Sequence, residues 1–120
     1  MMLISLESLK KFINEKIKNE IMTYTKAQKA HDSYDLCLFE GYTDALYAME
    51  AYLKDFENAD LINIEALKDF IEHESIKASE MYFYSNDIKN YLDKAYYEGY
   101  GNAVCSMSDF LKDFENGIGN

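Results

Sequence analysis

The segment LISLESLKKFI at residues 3–13 returns 58 positions later as LINIEALKDFI at residues 61–71. The same offset pairs LKDFEN at residues 53–58 with LKDFEN at residues 111–116. Residues 3–60 align with residues 61–118 without a gap, and 20 of the 58 pairs are identical. The pattern predicts a tandem duplication, with repeat 1 at residues 3–60 and repeat 2 at residues 61–118, inside a single domain of 120 residues.

Each repeat opens with the signals of a helix start. Ser5 and its counterpart Asn63 are favoured N-cap residues. An isoleucine precedes each cap and a leucine follows four residues after it, which is the spacing of a hydrophobic staple. The two repeats agree independently, so we expect the first helix of each repeat to begin here.

The second helix of each repeat carries an apolar stripe at three- and four-residue spacing. In repeat 1 the stripe is Leu38, Tyr42, Ala45, Met49, Tyr52, Leu53 and Phe56, and in repeat 2 it is Tyr96, Tyr100, Ala103, Met107, Phe110, Leu111 and Phe114. Gly41 and Gly99 fall inside it, where glycine costs about 1 kcal/mol relative to alanine. Their retention predicts a close approach of two helices at these positions.

Polar clusters at residues 31–33 and 85–87 mark the expected breaks within the repeats, although a kink or a continuous helix stays open at either place. Asn58 and Asn116 suit left-handed residues that end a helix. The short connection at residues 58–62 favours antiparallel neighbours. We therefore predict an all-α, up-down-up-down four-helix bundle, with two long bent helices completed by dimerisation as the alternative.

Composition limits the function. With 22 acidic and 12 basic residues the net charge is −10, which disfavours direct binding to nucleic acid or to an anionic membrane and favours a basic protein partner. No apolar run reaches the length of a membrane span and the first residues do not resemble a secretory signal. Cys37 and Cys105 occupy unrelated repeat positions without a CxxC spacing, which predicts reduced thiols and a cytoplasmic location.

Motifs for catalysis or metal binding are weak. His31-Asp32 lacks the further ligands of a metal-binding HD motif, and neither histidine has a carboxylate three residues before it. Glu40 and Glu98 hold equivalent positions beside the two glycines, where a pair of carboxylates is a candidate acid–base or metal site, but a solvated edge is the stronger interpretation. We expect no enzyme activity, no cofactor and no metal.

An acidic line on the second helix is the leading candidate for a binding surface. In repeat 1 it consists of Glu40, Asp44 and Asp55, and in repeat 2 of Glu98, Asp109 and Asp113. In repeat 1 no lysine stands three or four residues from these carboxylates, so helical pairs do not neutralise their charge. Carboxylates along a rod imitate the phosphates of a nucleic acid and fit a basic groove, while a merely solvated face is the alternative.

A second apolar line occurs in repeat 1 alone: Leu36, Phe39, Leu46 and Tyr47. The symmetric fold does not require it, so it is a candidate for a partner or for a homodimer contact, with burial against the neighbouring hairpin as the alternative. Tyrosines outside the main stripes are further interface candidates. They are Tyr34, Tyr47, Tyr84, Tyr91 and Tyr97.

In general character the chain resembles small phage-encoded proteins, because it is short, acidic, rich in tyrosine and free of proline and of catalytic motifs. That group includes anti-CRISPR and other anti-defence inhibitors, several of which compete with nucleic acid for a basic groove. The resemblance implies an inhibitor or regulator of a basic, nucleic-acid-handling protein. The alternative from the residues alone is a structural module that self-associates through Leu36, Phe39 and Tyr47.

Overall fold

A computed structural model of the chain describes residues 2–29 and 33–117, with the backbone alone for residues 27–29. The elements are β1 (Leu3–Ser5), α1 (Leu6–Lys29), α2 (Ser33–Leu53), a 3-10 turn (Lys54–Phe56), β2 (Leu61–Asn63), α3 (Ile64–Asp87) and α4 (Tyr91–Glu115). Within these residues the helices form a four-helix bundle, which confirms the predicted all-α fold class.

Side-chain caps begin α1 and α3 where the sequence predicts them. The backbone N–H of Ser8 donates to the Ser5 hydroxyl at 3.0 Å, and that of Glu65 donates to the Asn63 amide oxygen at 2.9 Å. Each bond satisfies one of the N–H groups that a helix start leaves without an intrahelical partner. The isoleucine and leucine of each staple are buried in the core.

A two-stranded antiparallel ribbon precedes these helices, which the sequence analysis did not predict. Ile4 of β1 lies opposite Ile62 of β2, and both side chains are almost fully buried. The ribbon continues into the helices, since Leu6 donates to the carbonyl of Asp60 and Ile64 donates to that of Met2. The ribbon therefore ties the starts of the two repeats together at one end of the bundle.

Contacts between the ends of the helices establish the up-down-up-down order. Near the end of α1, the Tyr24 ring stacks on Phe39 near the start of α2, with 4.3 Å between centroids. At the start of α3, the Lys68 ammonium lies 2.7 Å from a carboxylate oxygen of Glu115 at the end of α4. Both repeats are thus antiparallel helical hairpins.

The core lies between the two hairpins, and every residue of the predicted stripes except the half-buried Leu38 belongs to it or packs against it. Buried leucine, isoleucine, alanine and methionine residues from all four helices and both strands form a single cluster. Two aromatic stacks join the hairpins across it: Phe12 on Phe110 at 4.4 Å and Phe70 on Tyr52 at 4.3 Å between centroids. These stacks are equivalent under the 58-residue offset. The geometry thus repeats at that offset, while the duplication itself stays an inference from the sequence.

The helices α2 and α4 approach most closely at the two glycines. A β-carbon added to Gly41 would overlap the carbonyl oxygen of Tyr96, and one added to Gly99 would overlap that of Leu38. No side chain fits at either position, because the obstacle is the backbone of the facing helix. The predicted role of these glycines is confirmed.

The helix break in repeat 2 lies three residues later than predicted. Ser85 is buried inside α3, which continues to Asp87, and the turn spans residues 88–90 with Lys89 at φ 59°. The Asn90 side chain then accepts from the N–H of Asp93 and caps α4. In repeat 1, α1 ends at Lys29 and α2 begins at Ser33, and His31 and Asp32 of the predicted break lie outside the described residues.

The predicted left-handed helix ends are wrong. Asn116 has φ −87° at the end of α4, and the left-handed residue is Gly117 at φ 74°. Among the described residues Lys89 alone combines a positive φ with a side chain, so Asn58 does not adopt this conformation either. In repeat 1 a 3-10 turn ends the helix instead, because its tighter bonds pair the last carbonyls without a left-handed residue.

Candidate acidic face on α2 and α4

The acidic line of repeat 1 lies on the surface. Glu40 and Asp44 are exposed, one turn apart on α2, and Asp55 is exposed in the 3-10 turn that follows. The glycine contact begins next to Glu40, so this line lies beside the seam between α2 and α4. The predicted residues of repeat 1 therefore share one accessible face.

The acidic line of repeat 2 lies on α4, the helix packed against α2. Asp109 and Asp113 are exposed, and Glu98 is half-buried next to Gly99. Because α2 and α4 cross at the glycines, the two lines belong to one helix pair. These six carboxylates, Glu40, Asp44, Asp55, Glu98, Asp109 and Asp113, border this helix pair and are together called the acidic face below.

Tyrosine hydroxyls hold two of these carboxylates across the seam. The Tyr96 hydroxyl on α4 donates to a carboxylate oxygen of Asp44 on α2 at 2.6 Å. The Tyr34 hydroxyl on α2 donates to a carboxylate oxygen of Glu98 on α4. A phenol is a neutral donor at neutral pH, so these bonds orient the carboxylates without cancelling their charge.

The same bonds alter the titration of the tyrosines. The hydrogen bond to Glu98, and to a lesser extent burial, raises the pKa of Tyr34 to about 12. Burial first, and then the bond to Asp44, raises the pKa of Tyr96 above its usual range. Both phenols therefore remain protonated donors throughout the physiological pH range.

Lysines are unevenly distributed: the 3-10 turn carries Lys54 and α4 carries Lys94 and Lys112, but α2 has none. Helix α1 contains six lysines and three glutamates, whereas α2 contains four carboxylates and no lysine. Among the described residues, both ion pairs within 4.0 Å involve Lys68 of α3, with Glu65 and Glu115. The negative charge of the acidic face is therefore not neutralised by ion pairs within the described chain.

The apolar line of repeat 1 is mostly occupied within the fold. Leu46 is fully buried in the core, so its assignment to a surface line is wrong. Phe39 stacks on Tyr24 of α1, and Leu36 is half-buried. Tyr47 alone stays largely accessible, at 50% exposure. The line does not form a continuous exposed patch, because α1 covers part of it.

The off-stripe tyrosines have different environments. Tyr34, Tyr47, Tyr84 and Tyr91 each keep between 41% and 61% of their surface exposed. Tyr97 is half-buried and makes an edge contact with Tyr96, with 5.0 Å between centroids. The hydrogen bonds from Tyr34 and Tyr96 were not predicted from the sequence. A sequence difference marks both residues, because the other repeat has leucine at the equivalent positions: Leu92 for Tyr34 and Leu38 for Tyr96.

The proposed acid–base or metal pair at Glu40 and Glu98 has no supporting geometry. Glu40 is exposed, and Glu98 accepts from Tyr34. In residues 2–29 and 33–117, no group of three or more histidines, cysteines and carboxylates is arranged to hold a metal ion. His73 is exposed on α3.

Fold and surface together define an acidic all-α four-helix protein with a tyrosine-ordered carboxylate face. Over the described residues, no helix combines the length and apolar character needed to cross a membrane. The chain matches no protein-family model, no curated protein and no solved structure.

Proposed function

We propose that this protein binds a basic, nucleic-acid-handling protein through the acidic face and so inhibits or regulates it by occupying a nucleic-acid groove. The observation that carries the proposal is the tyrosine bonding of Asp44 and Glu98 in place of ion pairing. An ion pair to lysine would have cancelled the charge. A phenol bond keeps the charge and fixes the geometry.

The spacing of the charges supports this role. From Glu40 to Asp55 the chain advances 15 residues, which is roughly 22 Å along a helix. Each of the two lines has three carboxylates over this length, or about one negative charge per 7 Å. One strand of DNA carries one phosphate per ~3.4 Å. The acidic face therefore has a linear charge density of the same order as a nucleic-acid strand.

Preorganisation supports it further. Ordering a flexible side chain on binding costs roughly 0.5–1.5 kcal/mol. Asp44 and Glu98 are already held by hydrogen bonds from the facing helix, so this cost is largely met during folding. We expect Tyr34→Phe and Tyr96→Phe to weaken partner binding without any change of net charge, by up to about tenfold per tyrosine, a factor equivalent to ~1.4 kcal/mol.

The test is capture of the partner from nuclease-treated lysate of the native host. The variant Glu40→Lys/Asp44→Lys/Asp55→Lys should lose a partner that the unchanged protein retains. A matched control, Asp69→Lys/Glu80→Lys/Asp87→Lys, makes the same change of net charge at exposed positions of α3. It should retain the partner if geometry matters as well as charge.

Salt provides a second criterion. A partner held by exposed charges elutes at moderate salt, because the Debye length falls from about 10 Å at 0.1 M to about 3 Å at 1 M. Equal retention by both lysine variants, or a partner that resists high salt, would contradict the proposal.

The alternative of self-association through Leu36, Phe39 and Tyr47 stays a separate prediction. Light scattering at high protein concentration tests it, and a strictly monomeric mass counts against it.

A further inference from the structure

A groove runs between α3 and α4. Two adjoining cavities of about 340 and 230 Å³ share Ser75 of α3 and Cys105 of α4 in their walls. From Tyr97 at one end to Lys112 at the other, α4 advances 15 residues, or roughly 22 Å. The apolar part of the wall comes from Ile71, Ile76, Val104, Leu111, Tyr82 and Phe83. Its length matches about four turns of a helix.

The floor of this groove is lined by small residues where repeat 1 has larger ones. The small residues are Ser75, Ser79, Gly101, Cys105 and Ser108, and their equivalents are Ile17, Ile21, Thr43, Tyr47 and Glu50. In repeat 1 a cavity of about 240 Å³ lies at the matching end of the hairpin, between Lys10 and Glu57. The groove of repeat 2 thus extends through positions where the other hairpin carries bulky side chains.

At the rim of the groove, repeat 2 has large apolar residues where repeat 1 has polar ones. Ile76 is 53% exposed and Phe83 is 63% exposed, and they replace Lys18 and Thr25 of repeat 1. The fold does not need apolar residues here, because the other hairpin folds with polar ones. A groove with small side chains along its floor and exposed apolar side chains at its rim can bind an apolar ligand.

The equivalent positions indicate what fits. Repeat 1 places two isoleucines at four-residue spacing, Ile17 and Ile21, where the groove has serines. The charged residues that line the groove are Glu72 and Glu98 and, at one end, Lys68 and Lys112. Helices α3 and α4 together contain eleven carboxylates and four lysines, and one of these, Lys68, is paired with Glu115. The complementary ligand is therefore apolar along one side and positively charged on its flanks.

We propose that the α3–α4 groove binds an amphipathic helix of a partner protein, with branched aliphatic side chains at four-residue spacing and lysine or arginine on its flanks. Glu98 borders both the groove and the acidic face, but no other residue of that face lines the groove. The apolar contacts of the groove are made by Ile76, Phe83 and the small floor residues, and variants of Glu40, Asp44 and Asp55 leave them unchanged.

The test uses a fluorescein-labelled helical peptide of about 16 residues with isoleucines at four-residue spacing and lysines on its flanks. A control peptide replaces the isoleucines with serines at the same charge, so it measures non-specific attraction to the acidic protein. Anisotropy should show at least tenfold tighter binding of the isoleucine peptide. The variant Ser75→Ile/Cys105→Tyr, which installs the residues of repeat 1, should remove this difference.

Cys105 provides a second readout, because its thiol is exposed in the groove. In a Cys37→Ser background, saturating isoleucine peptide should slow its reaction with a thiol reagent at least tenfold. The Glu40→Lys/Asp44→Lys/Asp55→Lys variant should keep the isoleucine-dependent binding, which separates failure here from failure of the proposed function.

Equal binding of the two peptides, or unchanged Cys105 reactivity at saturation, would overturn the proposal. The same holds if the filled variant retains the preference for the isoleucine peptide. Circular dichroism checks that the filled variant folds, and Ser79→Ile, which fills the other end of the groove, replaces it if it does not.

Discussion

The close approach of α2 and α4 at Gly99 makes a quantitative prediction for Gly99→Ala. The added β-carbon would lie 2.8 Å from the carbonyl carbon of Leu38 and 3.0 Å from its α-carbon. Favourable carbon–carbon contacts lie at about 3.5–4.0 Å, so the two helices must separate by roughly 1 Å.

The energetic balance favours a net loss of stability. Overpacking a close-packed core costs about 1–3 kcal/mol, and sometimes more. The obstacle is backbone, which cannot rotate away, so we expect the upper part of this range or above it. Separation also stretches the bond from Tyr96 to Asp44 across the seam. Replacing glycine with alanine returns about 1 kcal/mol through helix propensity. The expected net loss is about 2–3 kcal/mol.

Gly101→Ala is the matched control. It lies two residues away on the same helix, and an added β-carbon meets no atom within 4 Å. Here helix propensity acts alone, so the variant should be more stable by up to about 1 kcal/mol.

Urea unfolding followed by circular dichroism measures both variants. For a domain of this size the loss at Gly99→Ala corresponds to a melting temperature lower by roughly 8–12 °C. Equal stability of Gly99→Ala and the unchanged protein would refute the close-packing argument. A shift of both variants in the same direction would refute it as well.

Three further predictions concern local chemistry. Ser5→Ala and Asn63→Ala should each lower the free energy of unfolding by about 1 kcal/mol in urea titrations. The two effects should add, because the caps begin different helices. Variants with unchanged stability would show that the caps are dispensable. In alkaline titration at 295 nm, Tyr34 should ionise near pH 12. Its hydrogen bond should contribute fully to stability below about pH 10, and this contribution should be lost as the pH rises through the folded-state pKa. Tyr34→Phe should lack the late-titrating component, and a titration identical to that of the unchanged protein would contradict the assignment. Cys105 should react with a thiol reagent at pH 8 faster than Cys37, whose pKa is raised by burial, and mass spectrometry after partial labelling would contradict this if Cys37 were modified first.

Local and periodic signals predicted most of the fold. The caps at Ser5 and Asn63 and the apolar stripes depend on neighbouring residues in the sequence, so the chain records them directly. Gly41 and Gly99 were informative because their cost in a helix interior requires a reason in the tertiary structure. Because both repeats retain the glycine at the same position, a close contact between helices could be predicted.

Tertiary contacts decide the features that the sequence did not predict. Ser85 is polar and short, which suggests a break, yet packing keeps it inside α3. Leu46 lies outside the main stripe, yet it is fully buried. The strands β1 and β2 are three residues each, too short for an alternating pattern, and they form because the two repeats meet there.

The candidate surfaces were predicted in part. The exposure of the acidic residues could be predicted from helical spacing, because they lie on the side of the helix opposite the buried apolar stripe. The hydroxyl bonds of Tyr34 and Tyr96 join different helices, so no spacing along the chain reveals them. In the sequence, the α3–α4 groove appears only as small residues at positions where repeat 1 has larger ones. This difference indicates a groove only when the positions of the helices are known.

The central claim is that the acidic face takes the place of a nucleic acid. The most direct measurement is a competition, in which labelled nucleic acid bound to the purified partner is followed by anisotropy while this protein is added. We expect stoichiometric displacement by the unchanged protein and none by Glu40→Lys/Asp44→Lys/Asp55→Lys. A stable ternary complex that retains the nucleic acid, or equal displacement by both proteins, would contradict it.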